Sequence, residues 1–376
     1  MKQVKIGLIG ANWMGSYHSI GMSKVRQAYQ DVEPIFEIVA DVNETAAKTA
    51  ARRFGYRKVT ADWKDVIRDP EVELVIIATP NFTHAEIAIA AARAGKHILC
   101  EKPMANTLAE SRAMAEAAEQ AGIKTMVDFI YTKCPANVLA KQLMDSGRLG
   151  SFVTFRGEFD GSYCADPSSP ATWRQLAASA GTGALGDLTA HIISLSDMIV
   201  GKKITEVLAS WDTVYPLRPD GRDLSKTISI DTDDQVYVII RYEDGRIGSM
   251  SSSRVSVSRP DSLYYEIQGS LGSVKFELSH INDLQYYSND CAPGERGYKT
   301  IKGNVRNGDY ARFCGTDELG ISYGDVLAIQ AHDILTAITE GHEIAIDMSY
   351  GCQVDRVLAA AAKSAREGRW VKVSEM

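Results

Sequence analysis

Apolar residues in the first third of the chain come in short runs separated by alanine-rich stretches of helical period. Segments 4–9, 35–40, 74–78, 96–100 and 124–127 read as strands, with a short polar third strand near 58–60. Segments 44–54, 84–94 and 108–121 read as helices, and Gly95 and Gly122 follow the last two as stop signals. Apolar strands joined by helices predict βαβ units and a parallel sheet covered on both faces.

The pattern changes after about Phe129. A helix over 135–146 leads to Gly147 and Gly150. Runs rich in β-branched and aromatic residues follow at 152–159, 207–214, 235–242, 247–255, 263–269, 273–278 and 284–287. Several alternate with period two, which predicts a mostly antiparallel sheet. Helices are expected at 185–200, 326–340 and 350–366, and long loops at 216–229 and 291–320. The fold class is therefore α/β: an N-terminal doubly wound parallel sheet over 1–129, then an α+β domain over 130–376 with an open, mostly antiparallel sheet.

Composition adds boundaries. The chain is 45% hydrophobic and 24% charged, ordinary for globular proteins, and 376 residues allow two sizeable cores. A net charge of -7 with no block of one sign argues against nucleic-acid or anionic-membrane partners. No apolar run reaches the ~18 residues of a membrane span, and Met1 leads into a strand without an apolar leader. Six cysteines, none in a Cys-x-x-Cys pair, predict free thiols in a reducing cytoplasm. No His, Cys or carboxylate group has metal-ligand spacing, so no metal is expected.

The first strand runs into Gly10-Ala11-Asn12-Trp13-Met14-Gly15, a G-x-G-x-x-G fingerprint with Asn12 in the second glycine position. The chemistry needs a tight turn at Gly10, backbone approach to a pyrophosphate, and close helix–strand packing at Gly15. Asn12 departs from the pattern, but asparagine tolerates left-handed backbone. The helix that follows offers unpaired amides to phosphates. Asp41 ends the second strand, where a carboxylate accepts ribose hydroxyls and repels a 2′-phosphate; NAD is expected over NADP. It lies 31 residues after Gly10, longer than the usual ~20. A plain strand–turn–helix corner is the alternative; Asp41 weighs against it.

The fifth strand ends at Cys100-Glu101-Lys102-Pro103, at the carboxyl edge where doubly wound sheets bind ligands. Lys102 can bond a substrate oxygen and stabilise charge on it, although most lysines are simply solvated. Further on, Gly183-Ala184-Leu185-Gly186-Asp187 leads to His191. Asp187 and His191 are four apart and on a helix would share a face. Histidine suits proton abstraction near neutral pH. An ordinary polar helix start would look the same.

These residues, with Ala78-Thr79-Pro80-Asn81-Phe82-Thr83-His84 and Ala94-Gly95-Lys96-His97-Ile98-Leu99-Cys100, resemble the Gfo/Idh/MocA oxidoreductases along nearly the whole chain. The resemblance implies a Rossmann domain, an α/β domain whose open sheet forms homodimers or homotetramers, and dehydrogenation of a sugar or polyol with NAD. It makes Lys102, Asp187 and His191 catalytic, with His191 as base. It places Thr79, Pro80, Asn81, Glu101 and Lys102 at the cofactor with Gly10, Asn12, Trp13, Met14, Gly15 and Asp41. His84 falls in the same stretch, although as a helix start it also reads as structural. Ala165-Asp166-Pro167-Ser168-Ser169-Pro170, Trp173-Arg174 and Gly320-Ile321-Ser322-Tyr323-Gly324 resemble the glycoside 3-dehydrogenases of the family, which oxidise a ring 3-hydroxyl. Redox-assisted glycosidases and inositol dehydrogenases are the alternatives. Tyr131, Lys133, Trp173 and Arg174 are expected to face a carbohydrate substrate, beside Lys102, Asp187 and His191. Lys133 and Ser194 replace the Arg and Asp usual in the family.

Overall fold

A computed structural model describes residues 1–292, 294–303, 308–316 and 318–376. The chain divides into two compact units, Met1–Lys133 with Gly308–Gln353, and Cys134–Asn307 with Val354–Met376. The expected single break after Phe129 therefore gives way to a first unit built from two chain segments.

The first unit holds six parallel strands, β1 (Lys2–Ile9), β2 (Val32–Ala40), β3 (Lys58–Thr60), β4 (Leu74–Ile77), β5 (His97–Cys100) and β6 (Thr125–Val127), in the order β3-β2-β1-β4-β5-β6. The order reverses beside β1, so the crevice at the carboxyl ends of β1 and β4 is the switch point. All four side chains of β4 are buried, as a parallel strand covered on both faces requires. The connecting helices are α1 (Trp13–Ala28), α2 (Glu44–Phe54), α3 (Trp63–Arg68), α4 (His84–Arg93) and α5 (Leu108–Ala121). Thr107 and Glu110 cap α5 reciprocally, and Gly122 closes it in the left-handed region at φ 61°.

The later segment joins this unit through a helix over Tyr323–Glu340, which packs along α1. A methyl at Gly21 would lie 2.9 Å from Leu327 Cβ, so the glycine permits the close approach. Lys24 pairs with Asp325 at 2.5 Å, and His332 stacks on Tyr29 with ring centroids 3.6 Å apart.

In the second unit, α6 (Pro135–Asp145), α7 (Ala177–Ala180) and α8 (Ala190–Val200) accompany β7 (Phe152–Gly161), β8 (Ile204–Asp212), β9 (Leu217–Asp220), β10 (Asp223–Ser229), β11 (Gln235–Tyr242), β12 (Ile247–Ser253), β13 (Asp261–Gly269), β14 (Gly272–Glu277), β15 (Asp283–Ser288), β16 (Lys299–Lys302) and β17 (Val371–Lys372). The helix over Tyr323–Glu340 is α9 in chain order; α10 (Met348–Glu367) ends the helical series. Nine strands form one sheet, β16-β15-β14-β13-β7-β12-β11-β8-β17, antiparallel except between β7 and β12. β11 alternates strictly, with Val236, Val238, Ile240 and Tyr242 buried and Tyr237 and Ile239 exposed.

Two expectations change. Segment 216–229 is a hairpin of β9 and β10, not a loop; its strands bury almost nothing, so they carry no apolar period to read. The stretch 291–320 contains β16 and a short 3₁₀ turn over Gly308–Arg312; parts of it lie outside the described residues.

Candidate active site

The first unit holds a cradle at the switch point. Gly10 has φ 94°, and a methyl there would lie 2.4 Å from the Ala78 carbonyl oxygen. A methyl on Gly15 would lie 1.9 Å from the Gly10 carbonyl oxygen, so the third fingerprint glycine fixes helix against turn. Asn12 sits at φ -76° as the residue before α1. The left-handed backbone anticipated for it is not used, because Gly10 alone makes the turn. Its side chain makes no cap bond, and α1 has no acidic residue in its first turn. In contrast, Asn43, Asp62 and Thr107 cap α2, α3 and α5 with their side chains. A 16-residue helix left without a side-chain cap at the glycine turn suits a phosphate.

Asp41 lies beside the turn. Its two oxygens accept from the amides of Ala11 at 2.7 Å and Asn43 at 2.8 Å. Each oxygen keeps a second lone pair for a ribose hydroxyl. Ala11, Asn12, Ser16, Asn43 and Arg53 line the adjoining cleft. Trp13 and Met14 follow in the first turn of α1. Trp13 is 65% exposed and meets Tyr17 edge-on, Tyr17 meets Tyr323, and Tyr131 lies tilted against Tyr323. These residues fit a dinucleotide.

Past β4, Asn81 opens a 3₁₀ turn, with Thr79 and Pro80 just before it; all three are half-buried. Thr83 Oγ1 bonds Thr79 Oγ1 at 2.6 Å and the Pro80 carbonyl at 2.8 Å. His84 opens α4. It is completely buried, and its ring lies between the Thr79 carbonyl at 2.8 Å and those of Pro103 and Met104 at 3.2 and 3.3 Å. Burial holds its imidazole below the ordinary range. Its place is to tie the Thr79–Asn81 turn to the chain after Lys102.

Lys102 stands half-buried past the end of β5, before a cis peptide to Pro103. Glu101, expected at the cofactor, has its carboxylate buried. One oxygen takes His18 Nε2 at 2.8 Å, and the other accepts the Lys102 amide at 3.3 Å. Asp128, 1% exposed, lies 3.7 Å from the same His18 nitrogen. Ligand atoms of His18, Glu101 and Asp128 lie within 4.8 Å of one another, a juxtaposition that linear spacing did not show. Burial, then the Glu101 charge, pushes the Asp128 carboxyl well above the ordinary range. Burial opposes the charged Glu101, but the His18 hydrogen bond holds its carboxyl below that range. The trio packs behind the Lys102 backbone.

The Lys133 ammonium pairs with Asp333 at 2.5 Å, and its carbonyl accepts the Tyr310 hydroxyl at 2.8 Å. Cys100 is buried within β5.

In the second unit, the stretch 185–200 is not one α-helix. Leu185–Thr189 forms a turn of π-helix, and α8 begins at Ala190. The wider turn shifts the phase between Asp187 and His191 from that of a plain helix; such turns recur at functional sites. Asp233 creates it: its oxygens accept the amides of Gly183 at 2.6 Å and Leu185 at 2.7 Å. A methyl on Gly183 would lie 1.8 Å from the Asp233 carbonyl oxygen. Thr189 Oγ1 bonds Ser252 at 2.9 Å. His191 is 4% exposed and lies 5.7 Å from the Phe159 ring, while Asp187 is half-buried and accepts the Tyr163 hydroxyl at 2.7 Å. Ser194 is fully buried and bonds the His191 carbonyl at 2.9 Å, so it supports the helix and does not line a pocket.

Trp173 and Arg174 form a 3₁₀ turn capped by Thr172, with the Arg174 guanidinium 4.4 Å over the Trp173 ring. Arg254, 1% exposed, bonds the Arg174 carbonyl at 3.0 Å, Thr232 at 2.8 Å and Asp234 at 2.8 Å. Sequence reasoning missed Arg254, Asp233, Tyr163, His18 and Asp128. The only hint was the acidic run Asp231-Thr232-Asp233-Asp234 inside an otherwise apolar stretch.

A Rossmann unit with a dinucleotide cradle, and a second unit with an aspartate on a π-turn and a histidine in the helix that follows, define a nucleotide-dependent oxidoreductase. Residues 4–129 match the family model of the oxidoreductase family with NAD-binding Rossmann fold, and residues 138–275 the GFO/IDH/MocA C-terminal domain. Levoglucosan dehydrogenase of Pseudarthrobacter phenanthrenivorans is 36% identical over 388 residues, all of both chains. Myo-inositol 2-dehydrogenase of Thermotoga maritima is 26% identical over 72% of this chain and 74% of its own. The solved structure of levoglucosan dehydrogenase in complex with NADH and levoglucosan superposes with a TM-score of 0.94 and 37% identity, covering 99% of this chain and 100% of that one. The chain belongs to the Gfo/Idh/MocA family of NAD-dependent oxidoreductases.

Proposed function

We propose that the protein uses NAD to oxidise a secondary hydroxyl, at ring carbon 3, of a cyclic sugar, anhydrosugar or glycoside to a ketone. When bound, NAD supplies the hydride acceptor. His191 takes the hydroxyl proton from a protected position, and Asp187 orients its imidazole. Lys102 bonds the substrate oxygen and stabilises charge on it as the carbonyl forms. Thr79, Pro80, Asn81 and the fingerprint residues hold the cofactor. Trp173 offers a stacking face with Arg174 as hydrogen-bond donor, and Tyr131 also contacts the sugar.

The observation that carries this reading is Asp187 on a π-turn held by Asp233, with His191 just after it in α8, in a chain alike from end to end to a sugar dehydrogenase. The exposed sheet face bearing Tyr237, Ile239 and Ile247 is the surface on which two or four copies associate. A cytoplasmic setting is part of this reading, on the cysteine usage.

The test follows NAD reduction with levoglucosan, simple pyranosides and inositols. Levoglucosan and pyranosides should be oxidised in preference to inositols. Lys102→Ala should lower turnover by about 10²–10⁴-fold while NAD affinity stays within about threefold. Turnover within tenfold of wild type would remove Lys102 from the chemistry. Preference for inositols, or glycoside cleavage without NADH accumulation, would overturn the sugar-dehydrogenase assignment.

A further inference from the structure

Tyr163 follows β7 on a short loop whose backbone is held on both sides. Ser256 donates to the Gly161 carbonyl at 3.0 Å, and Cys164 donates to the Arg254 carbonyl at 3.0 Å. Arg218, 1% exposed, donates to the carbonyl oxygens of Cys164 and Asp166. Gln175 Nε2 reaches Cys164 Sγ at 3.0 Å, which links the loop to the Trp173 turn. A buried arginine spent on two loop carbonyls indicates that this backbone must not move.

The side chain is aimed as firmly. A methyl on Gly161 would lie 2.8 Å from the Tyr163 ring, so the ring folds back over a residue that must stay small. Its hydroxyl donates to Asp187 Oδ2 at 2.7 Å, yet Tyr163 remains 47% exposed. The polar tip is fixed and an aromatic flank is left open beside Asp187. Burial of the tip, then the Asp187 charge, pushes the phenol well above its ordinary range, so it stays a donor.

We infer that Tyr163 is a positioning and specificity residue: its hydroxyl holds Asp187 in the rotamer that serves His191, and its open ring stacks on the apolar C–H face of a pyranose-type ring. This rests on the function proposed above and narrows it, since an acyclic polyol presents no such flat apolar face. The carboxylate can only accept, so without the phenol Asp187 loses a fixed donor and samples other rotamers.

The test compares full-length wild type, Tyr163→Phe and Tyr163→Leu with levoglucosan and NAD across a pH series, with thermal melts as the folding control. Sugar binding is followed separately by saturation-transfer NMR. Tyr163→Phe should lower kcat by about tenfold to a hundredfold, leave KM within about threefold, and displace the acidic limb of the kcat profile. A purely structural role would not move that limb. Tyr163→Leu should lose kcat alike and also weaken sugar binding by about fivefold or more. An active wild type with Phe and Leu variants unchanged in kcat, pH profile and sugar binding overturns the inference alone. A wild type that oxidises no cyclic sugar overturns the inference together with the function on which it rests.

Discussion

Gly15→Ala tests whether the cradle works by backbone proximity. The added methyl would lie 1.9 Å from the Gly10 carbonyl oxygen and 3.0 Å from its carbon, and both are backbone. No rotamer change relieves a clash between two main chains, so the start of α1 must retreat by roughly 1 Å to restore contact. Overpacking of this kind costs about 1–3 kcal/mol, which lowers the melting temperature by several degrees for a unit of this size. The same retreat carries the uncapped amides of α1 away from the phosphate position. NAD affinity should then fall by about tenfold to a hundredfold, or 1.4–2.7 kcal/mol. Titration of NADH fluorescence gives the affinity and calorimetry the melting temperature. A dissociation constant within about twofold of wild type, with an unshifted melt, would refute the argument, because a displaced helix start cannot leave both intact.

Two further expectations concern charges. Asp128 has its carboxyl raised in the folded chain, so between the ordinary carboxyl range and neutral pH the folded state holds a proton that the unfolded chain lacks. Stability therefore falls as pH rises through that window. His18, its imidazole raised because bonding to Glu101 outweighs burial, loses its share in the same direction as it deprotonates. Asp128→Asn removes the Asp128 slope, and between about pH 5 and about pH 7 the variant should lose about 5 °C less in melting temperature than wild type; parallel curves would refute the raised carboxyl. Asp41→Asn leaves an oxygen for the Ala11 amide but removes the charge that repels a 2′-phosphate, in a cleft that Arg53 also lines. The ratio of NADP to NAD in kcat/KM should rise by about tenfold or more, and an unchanged ratio would take Asp41 out of cofactor choice.

The parallel sheet was legible because burial writes itself into composition. The continuous apolar run of β4, the alternation of β11 and the Gly122 stop are local signals, and each fell within a residue or two of the observed boundary. What failed was non-local. The β9–β10 hairpin is exposed, so no apolar period marks it. Helix α9 lies beyond the sheet of the second unit in sequence but covers α1, and the residues that make the contact, Gly21, Lys24 and Tyr29 among them, are unremarkable in a linear reading. Asp187 and His191 were singled out from residue chemistry, but the start of the π-turn that carries Asp187 is held by Asp233, 50 residues beyond Gly183. The direction of the Glu101 side chain was not legible, because the sheet edge locates its backbone alone; its hydrogen-bond partner His18 lies 83 residues away.

These non-local partners have one thing in common. Asp233 is buried behind the backbone that carries Asp187, Arg254 behind that of Arg174, and the His18–Glu101–Asp128 trio behind Lys102. Buried charges are poor stabilisers, since desolvation consumes most of what pairing returns, and a well-packed apolar cluster would serve the core as well or better. An apolar cluster, though, cannot hold a specified amide in place: a carboxylate with two directional acceptors can, and a guanidinium does the same for a carbonyl. The protein thus places its least economical residues where a main-chain atom, and through it a functional side chain, has to keep its position within a fraction of an ångström. Within each unit, these particular buried charges back the site from behind, as the cradle and the π-turn mark it from the front.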